Sequence, residues 1–335
     1  MAITIYDVAQ HARVSTSTIS RYLNGQGVRE KNRLQIEQAI HALGFKQNII
    51  AHGLKRKRLM SIAVLVPNYT VFFMTITAIL EKILARENYS LLLGNFEDCY
   101  DVLQQKLDFV EERFVDGFIL FSSGIQQEMT SRLQQYIDNR FPIVLVEQDI
   151  QGLTTDMVGI NNAHAAFRAV EKLIHENHTQ IAIVNGDDRR YIFKERLHGY
   201  YNAMHAYNLP IEPQWIISRP FIDMKDISVI QNLFTAPQPP TAIFAATYYA
   251  TMSTIIALHQ LRLRIPDDVS LIGFDLFDAI DALDPPLTLV TQPFEKIAEA
   301  TADLLLKRLR GDYTDFPQTV ILNTQMLMRE SIKRL

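Results

Sequence analysis

The chain opens with two short amphipathic stretches. Ile5, Val8, Ala9 and Ala12 fall at i, i+3, i+4 and i+7, which predicts a first helix with one apolar face. Arg13-Val14 then makes a short turn, and Ser15 stands where a helix N-cap would offer its hydroxyl to an orphan backbone N–H. A second helix follows, with Ile19, Tyr22 and Leu23 inward and Thr16, Ser17, Ser20, Arg21 and Asn24 on the opposite face, stopped by Gly25 and Gly27. A third helix is predicted from about Glu30 to Leu43, with Ile36, Ala39, Ile40 and Leu43 as its buried stripe and Gly44 as its stop; Arg29 gives it a weak cap. Two helices, a tight turn and a polar face ending in arginine suit a helix-turn-helix that lays one helix in a major groove. Spacing alone serves equally well a small three-helix core with a solvated second helix.

From Ser61 the period changes. Apolar strands are predicted at Ile62–Val66, Ser90–Leu93, Gly117–Phe121 and Ile143–Val146, with helices at Phe72–Glu87, Val102–Glu112 and Gln127–Asn139 between them. The rhythm resumes near Val158 with helices at Ala163–Glu176, Phe193–Tyr207, Ile227–Phe234 and Thr251–Leu261. These alternate with strands at Ile181–Val184, Trp215–Ser218, Ala242–Ala245 and Val269–Phe274. Near-continuous apolar strands separated by helices mean parallel sheets covered on both faces. Two such runs predict two doubly wound lobes, each opening at the C-terminal ends of its strands.

A length of 335 residues suggests two or three domains, and 48% hydrophobic with 21% charged residues is ordinary globular composition. The net charge of −4 conceals an asymmetry. Residues 1–60 hold ten Lys/Arg and three acids, giving +7, while the remainder holds 23 Lys/Arg and 34 acids, giving −11. A basic head on an acidic body is the electrostatic footprint of a nucleic-acid binder. One cysteine, Cys99, rules out an internal disulfide and fits a reducing compartment. The start, Met-Ala-Ile-Thr, has neither the charged nor the apolar region of a secretory signal, and no run of 18 apolar residues appears, so a cytoplasmic protein without a membrane span is expected.

Enzyme signatures are missing: there is no P-loop, GxSxG, HExxH or GxGxxG. Gly25-Gln26-Gly27 reads as a helix stop, and His175 and His178 read as scattered surface residues. No catalytic residue, metal or cofactor is expected.

Residue identities narrow the reading. Tyr6-Asp7-Val8-Ala9, Val14-Ser15 and Ile19-Ser20-Arg21-Tyr22-Leu23-Asn24 closely resemble the headpiece of the LacI/GalR family of bacterial transcriptional regulators. Val115-Asp116-Gly117-Phe118-Ile119-Leu120, Ile265-Pro266-Asp267-Asp268-Val269-Ser270 and Gly273-Phe274-Asp275 extend the resemblance along the body. So do Asp284-Pro285-Pro286-Leu287-Thr288, Gln292-Pro293 and Arg329-Glu330-Ser331. The resemblance implies an α/β chain with an all-α headpiece and a two-lobed body of the type I periplasmic-binding-protein fold, the lobes joined by crossings near residues 160, 291 and 322. It divides the chain into a headpiece at 1–47, a hinge helix and linker at 48–60, and an effector-binding and dimerisation domain at 61–335. The lobes of that domain would span about 61–160 with 292–322, and about 161–291 with 323–335.

By the same resemblance, Thr16, Ser17 and Arg21 face base edges, where an arginine reaches guanine O6 and N7 together. Tyr6, Ser15 and Ser20 hold phosphates, which position without specifying, and Asn24 and Lys55 complete the DNA-facing set. Asn48–Lys55 resembles the family's hinge helix, and Leu54 matches the leucine that wedges between base steps. Eight residues are too few for a stable lone helix, and Gly53 costs a further ~1 kcal/mol relative to Ala, so this segment should fold only when pinned by its dimer mate and a minor groove. Arg56-Lys57-Arg58 would be a charged linker near phosphate. Phe73, Arg190, Arg196, Phe221 and Asp275 should face the effector cleft, where Asp and Arg hydrogen-bond hydroxyls and aromatics cover ring faces.

The chain departs from the family pattern at two places. Thr247-Tyr248 stands where sugar-binding relatives often carry Asn-Asp, and Glu147-Gln148 where Asp-Arg is common. A simple hexose is therefore not implied. Arg189, Arg190, Lys194 and Arg196 leave a phosphorylated sugar open, and Asp187 and Asp188 weigh against it. The expected protein is a homodimeric repressor of near-palindromic operator DNA, governed by a small molecule such as a sugar or sugar phosphate. The chain ends at Leu335 without a leucine-rich tail, so a tail-mediated tetramer is not expected. A solute-binding protein for transport shares such a body, but residues 1–60 are the wrong kind of leader for export.

Overall fold

The computed structural model describes residues 3–23, 26–45, 59–112, 115–122, 129–147, 150–188, 190–221, 227–275 and 282–335. The chain divides into two compact units, Met1–Leu59 and Met60–Leu335. The predicted hinge Asn48–Lys55, with Leu54 and Lys55, lies outside the described residues, as do Asn24, Gly25, Arg56-Lys57-Arg58, Gln148 and Arg189.

Among its described residues the first unit holds three helices: α1 (Ile5–Ala12), α2 (Thr16–Leu23) and α3 (Glu30–Leu43). Thr4 starts α1 through a reciprocal capping box, in which its backbone N–H donates to Asp7 Oδ2 at 2.7 Å and the Asp7 N–H donates to Thr4 Oγ1 at 3.4 Å. Hydrogen bonds from Thr4 hold the Asp7 carboxyl below the usual aspartate range. Arg13 ends α1 in the left-handed region at φ 53°, and the Val14 N–H turns back to the Ala9 carbonyl at 3.1 Å. Val8, Ala9, Ala12, Ile19, Ile36 and Ala39 close over one another as a small core. Arg29 precedes α3 with no side-chain cap, and Gly44 stops it at φ 59°.

The second unit contains two six-stranded sheets. The first is built from β1 (Ser61–Val66), β2 (Ser90–Asn95), β3 (Gly117–Phe121), β4 (Ile143–Val146), β5 (Asp156–Ile160) and β11 (Thr319–Leu322). The second is built from β6 (Ile181–Asn185), β7 (Ile216–Ser218), β8 (Ala242–Ala245), β9 (Ser270–Phe274), β10 (Thr288–Thr291) and β12 (Gln325–Leu327). Spatial orders are β11-β5-β4-β3-β1-β2 and β12-β10-β9-β8-β6-β7, parallel throughout except for the antiparallel β10–β12 pair. Strand order therefore reverses between β1 and β3 in one lobe and between β6 and β8 in the other. Ligands enter doubly wound sheets at such switch points, outside the carboxyl ends of the strands.

The intervening helices are α4 (Val71–Arg86), α5 (Tyr100–Glu112), α6 (Thr130–Asp138), α7 (Asn162–His175), α8 (Tyr191–Ala206), α9 (Ser228–Gln231), α10 (Tyr248–Gln260) and α11 (Phe294–Leu309). The chain leaves the first sheet after β5, returns after β10 into α11, and crosses again between β11 and β12. Helices α7 and α8 pack closely because Gly199 lacks a side chain: a Cβ there would lie 2.1 Å from the Ala163 carbonyl oxygen. Arg308 on α11 grips Asp156 of β5 with both ends of its guanidinium, Nε to Oδ2 at 2.6 Å and a terminal nitrogen to Oδ1 at 3.0 Å, both side chains fully buried.

Two predicted elements differ in form. The strand expected at Trp215–Ser218 begins at Ile216, after a 3-10 turn over Pro213–Trp215. Proline there can give no ladder hydrogen bond, and the Trp215 indole N–H anchors the turn on the Gln238 carbonyl at 3.2 Å. The helix expected at Ile227–Phe234 is one α turn, Ser228–Gln231, tightened into a 3-10 turn over Asn232–Phe234. Among the described residues no helix is long and apolar enough to cross a membrane.

Candidate nucleic-acid interface and effector cleft

In the first unit, burying Ile19 and half-burying Tyr22 and Leu23 forces the opposite face of α2 into solvent. Thr16, Ser17 and Arg21 are exposed, Ser20 is half-buried, and Tyr6 on α1 is 72% exposed. Ser15 caps α2: its Oγ accepts the Thr18 N–H at 3.2 Å and shares hydroxyl hydrogen bonds of 2.8 Å with Ser17 and Thr18. The cap fixes how α2 leaves the turn and leaves the Ser15 hydroxyl already engaged. The exposed side chains at 16, 17 and 21 share the solvent face of α2.

In the second unit, a cavity of about 430 Å³ lies where the two lobes' strand ends meet. Its size is that of a small-molecule site. Each lobe contributes the residues immediately after its strands: Asn68 follows β1, Asp98 follows β2, Glu147 follows β4, Thr247 follows β8, Asp275 follows β9 and Gln292 follows β10. All five side chains expected in the cleft, Phe73, Arg190, Arg196, Phe221 and Asp275, line this one cavity.

Their partners were not legible in the sequence. Arg196, on the second turn of α8, is buried, although an arginine on a helix is more often solvated. Its Nε donates to Asn162 Oδ1 at 2.8 Å, a terminal nitrogen donates to the Ala246 carbonyl at 2.6 Å, and the guanidinium lies 3.7 Å from the Phe274 ring centroid. Burial presses its pKa down, while Asp275 and Glu147 oppose that shift. Asp275 sits in the left-handed region at φ 72° and accepts from Gln292 Nε2 at 2.7 Å. Burial raises its carboxyl above the usual range, against the pull of Arg196 and the Gln292 hydrogen bond. Arg190 forms an ion pair with Asp98, joining the second lobe to the first.

Glu147 is the residue that the spacing argument missed, although its departure from the family pattern marked it. It lines the cavity and the small void behind Arg196, and stands at φ 82°. Its Oε2 is sealed from solvent without a hydrogen-bond partner. Burial, reinforced by Asp275 and partly offset by Arg196, pushes its carboxyl up to about 8. The Thr247 hydroxyl accepts the Ala250 N–H at 2.9 Å as the cap of α10, so it serves the helix first. Phe73 packs edge-on against Phe72 and Phe121, with ring centroids 5.0 and 5.2 Å away, and is both core and wall.

A basic helix-turn-helix unit carried by a two-lobed body with a cavity at both switch points defines a ligand-responsive DNA-binding protein. Residues 4–48 match the family model described as bacterial regulatory proteins, lacI family, and residues 170–332 match the periplasmic binding protein-like domain. The chain is 30% identical to the HTH-type transcriptional repressor CytR of Escherichia coli strain K12, over all of this chain and 97% of that one. It is 27% identical to the HTH-type transcriptional repressor PurR of Aliivibrio salmonicida, over 99% of both chains. A crystal structure of the lac repressor dimer bound to operator and the anti-inducer ONPF superposes with TM-score 0.87 at 20% identity, covering 99% of this chain and 100% of that one. The chain belongs to the lacI family of bacterial regulatory proteins. The regulatory headpiece sets it apart from the solute-binding proteins for transport that share its body.

Proposed function

We propose that this protein is a cytoplasmic, homodimeric transcriptional repressor whose grip on a near-palindromic operator is set by a small molecule in the interlobe cavity. Its domains are taken as 1–47, 48–60 and 61–335. In this reading, Thr16, Ser17 and Arg21 read base edges, and Tyr6, Ser15, Ser20, Asn24 and Lys55 position the backbone. Leu54 wedges into the minor groove. Phe73, Arg190, Arg196, Phe221 and Asp275 contact the effector, and the chain itself performs no catalysis.

The observation that carries the reading is the convergence of all five predicted effector side chains, from both lobes, on one cavity in a chain that also exposes the polar face of α2. A ligand held between lobes acts on DNA only through its differential affinity for two lobe arrangements. The Arg190–Asp98 ion pair is one contact that differs between such arrangements, because its partners come from different lobes.

The test starts by selecting the operator from random duplexes with the purified full chain, then measures affinity by fluorescence anisotropy. Arg21→Ala should lose at least tenfold discrimination between the selected site and a shuffled one, about 1–3 kcal/mol for one bidentate base contact. Unchanged base preference would remove Arg21 from the readout.

A further inference from the structure

We infer that Asp98 is a positioning residue: it grips Arg190 across the cleft and so latches the two lobes together before any ligand arrives. The inference rests on the reading that lobe arrangement sets the grip on DNA. Asp98 follows β2 in the first lobe, and Arg190 precedes α8 in the second. Both line the cavity, with side chains 24% and 29% exposed, so their ion pair stands where the cavity meets solvent. Three observations carry the inference.

The first is the hook that delivers Asp98. Glu97 and Asp98 both lie in the left-handed region, at φ 55° and 56°. Two successive residues with side chains rarely stay there, because each Cβ crowds a carbonyl oxygen. Neighbouring bonds hold them in place. The Phe96 N–H donates to the Val66 carbonyl at 2.9 Å, and the Phe96 side chain is buried. The Glu97 N–H donates to Asn95 Oδ1 at 2.8 Å, and the Cys99 N–H to the Phe96 carbonyl at 2.9 Å. A backbone kept in a costly conformation beside a cleft points to a task for the residue it presents.

The second is the post on the other side. The Arg190 N–H donates to the Asp187 carbonyl at 3.0 Å. Its own carbonyl accepts the Phe193 and Lys194 N–H groups at 3.2 and 3.1 Å, which opens α8. Each backbone is therefore fixed within its own lobe, and forming the pair has only two side chains left to order.

The third is electrostatic. Arg190 occupies the N-cap position of α8, at the positive end made by the helix's unpaired N–H groups. A cation is disfavoured there and a carboxylate is favoured. Asp98 brings a carboxylate from the other lobe to that end. Parting the lobes takes it away and leaves the guanidinium at the helix terminus without it, so the charges favour closure.

The experiment is single-molecule fluorescence energy transfer on the full-length, ligand-free chain. Dyes are placed at the exposed positions Gln135 on α6 and Asn202 on α8 as cysteine substitutions in a Cys99→Ser background, with labelled chain diluted into an excess of unlabelled chain. Asp98→Asn, which keeps the side-chain shape and removes the charge, should lower the closed-to-open ratio at least threefold. The charge swap Asp98→Arg with Arg190→Asp should recover it, which a merely structural role of Asp98 would not. Unchanged lobe distances in Asp98→Asn, or opening that the swap does not reverse, would overturn the latch. Operator affinity of the same ligand-free proteins, read by anisotropy, should move threefold or more in Asp98→Asn and return in the swap. Opening with no change in operator affinity would leave the latch standing and overturn the reading that lobe arrangement governs DNA binding.

Discussion

Glu147→Gln should stabilise the body of this protein, by an amount that grows with pH. In the folded chain, burial beside Asp275 holds the Glu147 proton up to about pH 8, whereas an unfolded glutamate releases it near 4.5. A carboxyl whose folded pKa is raised leaves stability intact below its unfolded pKa and removes it as pH rises through the folded value. Two and a half pH units separate 4.5 from neutrality, and each is worth ~1.4 kcal/mol, so the penalty at pH 7 reaches at most ~3.5 kcal/mol. Above pH 8 it levels off. The effective dielectric inside a folded protein exceeds that of a dry interior, which lowers the expected gain at pH 7 to about 1–2 kcal/mol. Glutamine keeps the shape of the protonated acid and cannot ionise.

The assay is differential scanning fluorimetry of wild type and variant from pH 5 to 9, supported by urea denaturation at pH 5 and pH 8. Near pH 5 the melting points should nearly coincide. By pH 8 the variant should melt several degrees higher, at roughly 2–4 °C per kcal/mol for a unit of this size. A gap that is constant across the range, or a wild type that gains on the variant as pH rises, would refute the reasoning. A constant gap would mean that Glu147 ionises at an ordinary pKa in the folded chain, and a gaining wild type would mean that its pKa is lowered there.

Other expectations follow from particular contacts. Asp275→Ala should leave operator affinity within threefold but abolish the response to any cleft ligand, measured by anisotropy with and without that ligand; a variant that still responds would retire the assignment. Leu54→Ala should weaken specific operator binding by tenfold or more and reduce DNA bending in a gel-mobility bend assay, with non-specific binding little changed; unaltered bending would leave the wedge without support. Gly199→Ala places a methyl group where α7 and α8 already touch and should cost about 1–3 kcal/mol, visible as a melting point several degrees lower for the body. An unchanged melting point would mean that the two helices part without cost.

Much of the fold could be read directly. The switch from helical period to alternating apolar strands at Ser61 located the start of the α/β body, and α3 runs over Glu30–Leu43 as the spacing predicts. Periodicity reported less where geometry is set by neighbours. Trp215 joined a turn because its indole found a carbonyl at Gln238, a partner more than twenty residues away. The cleft shows the same limit. Phe73, Arg190, Arg196, Phe221 and Asp275 carried a family pattern and were found together. Asp98, Asn68 and Glu147 carried no such signal except where the chain departed from the pattern at Glu147.

The sequence by itself determined most of the inward and outward faces, although His178, read as a surface residue, is buried with its ring nitrogens hydrogen-bonded to the Thr241 hydroxyl and the Lys333 carbonyl. The helical period and the short unbroken apolar runs are local properties, and they set the polar face of α2, the buried strands and the alternation that makes two parallel lobes. Only the tertiary structure decided what each polar side chain meets. Arg190 and Asp98 lie 92 residues apart in the chain and come together because β2 and β6 end at the same cleft. The ionisation of Glu147 likewise depends on water excluded by elements distant in sequence. Electrostatics inside a protein follow distance and burial, and neither is written in the order of the residues.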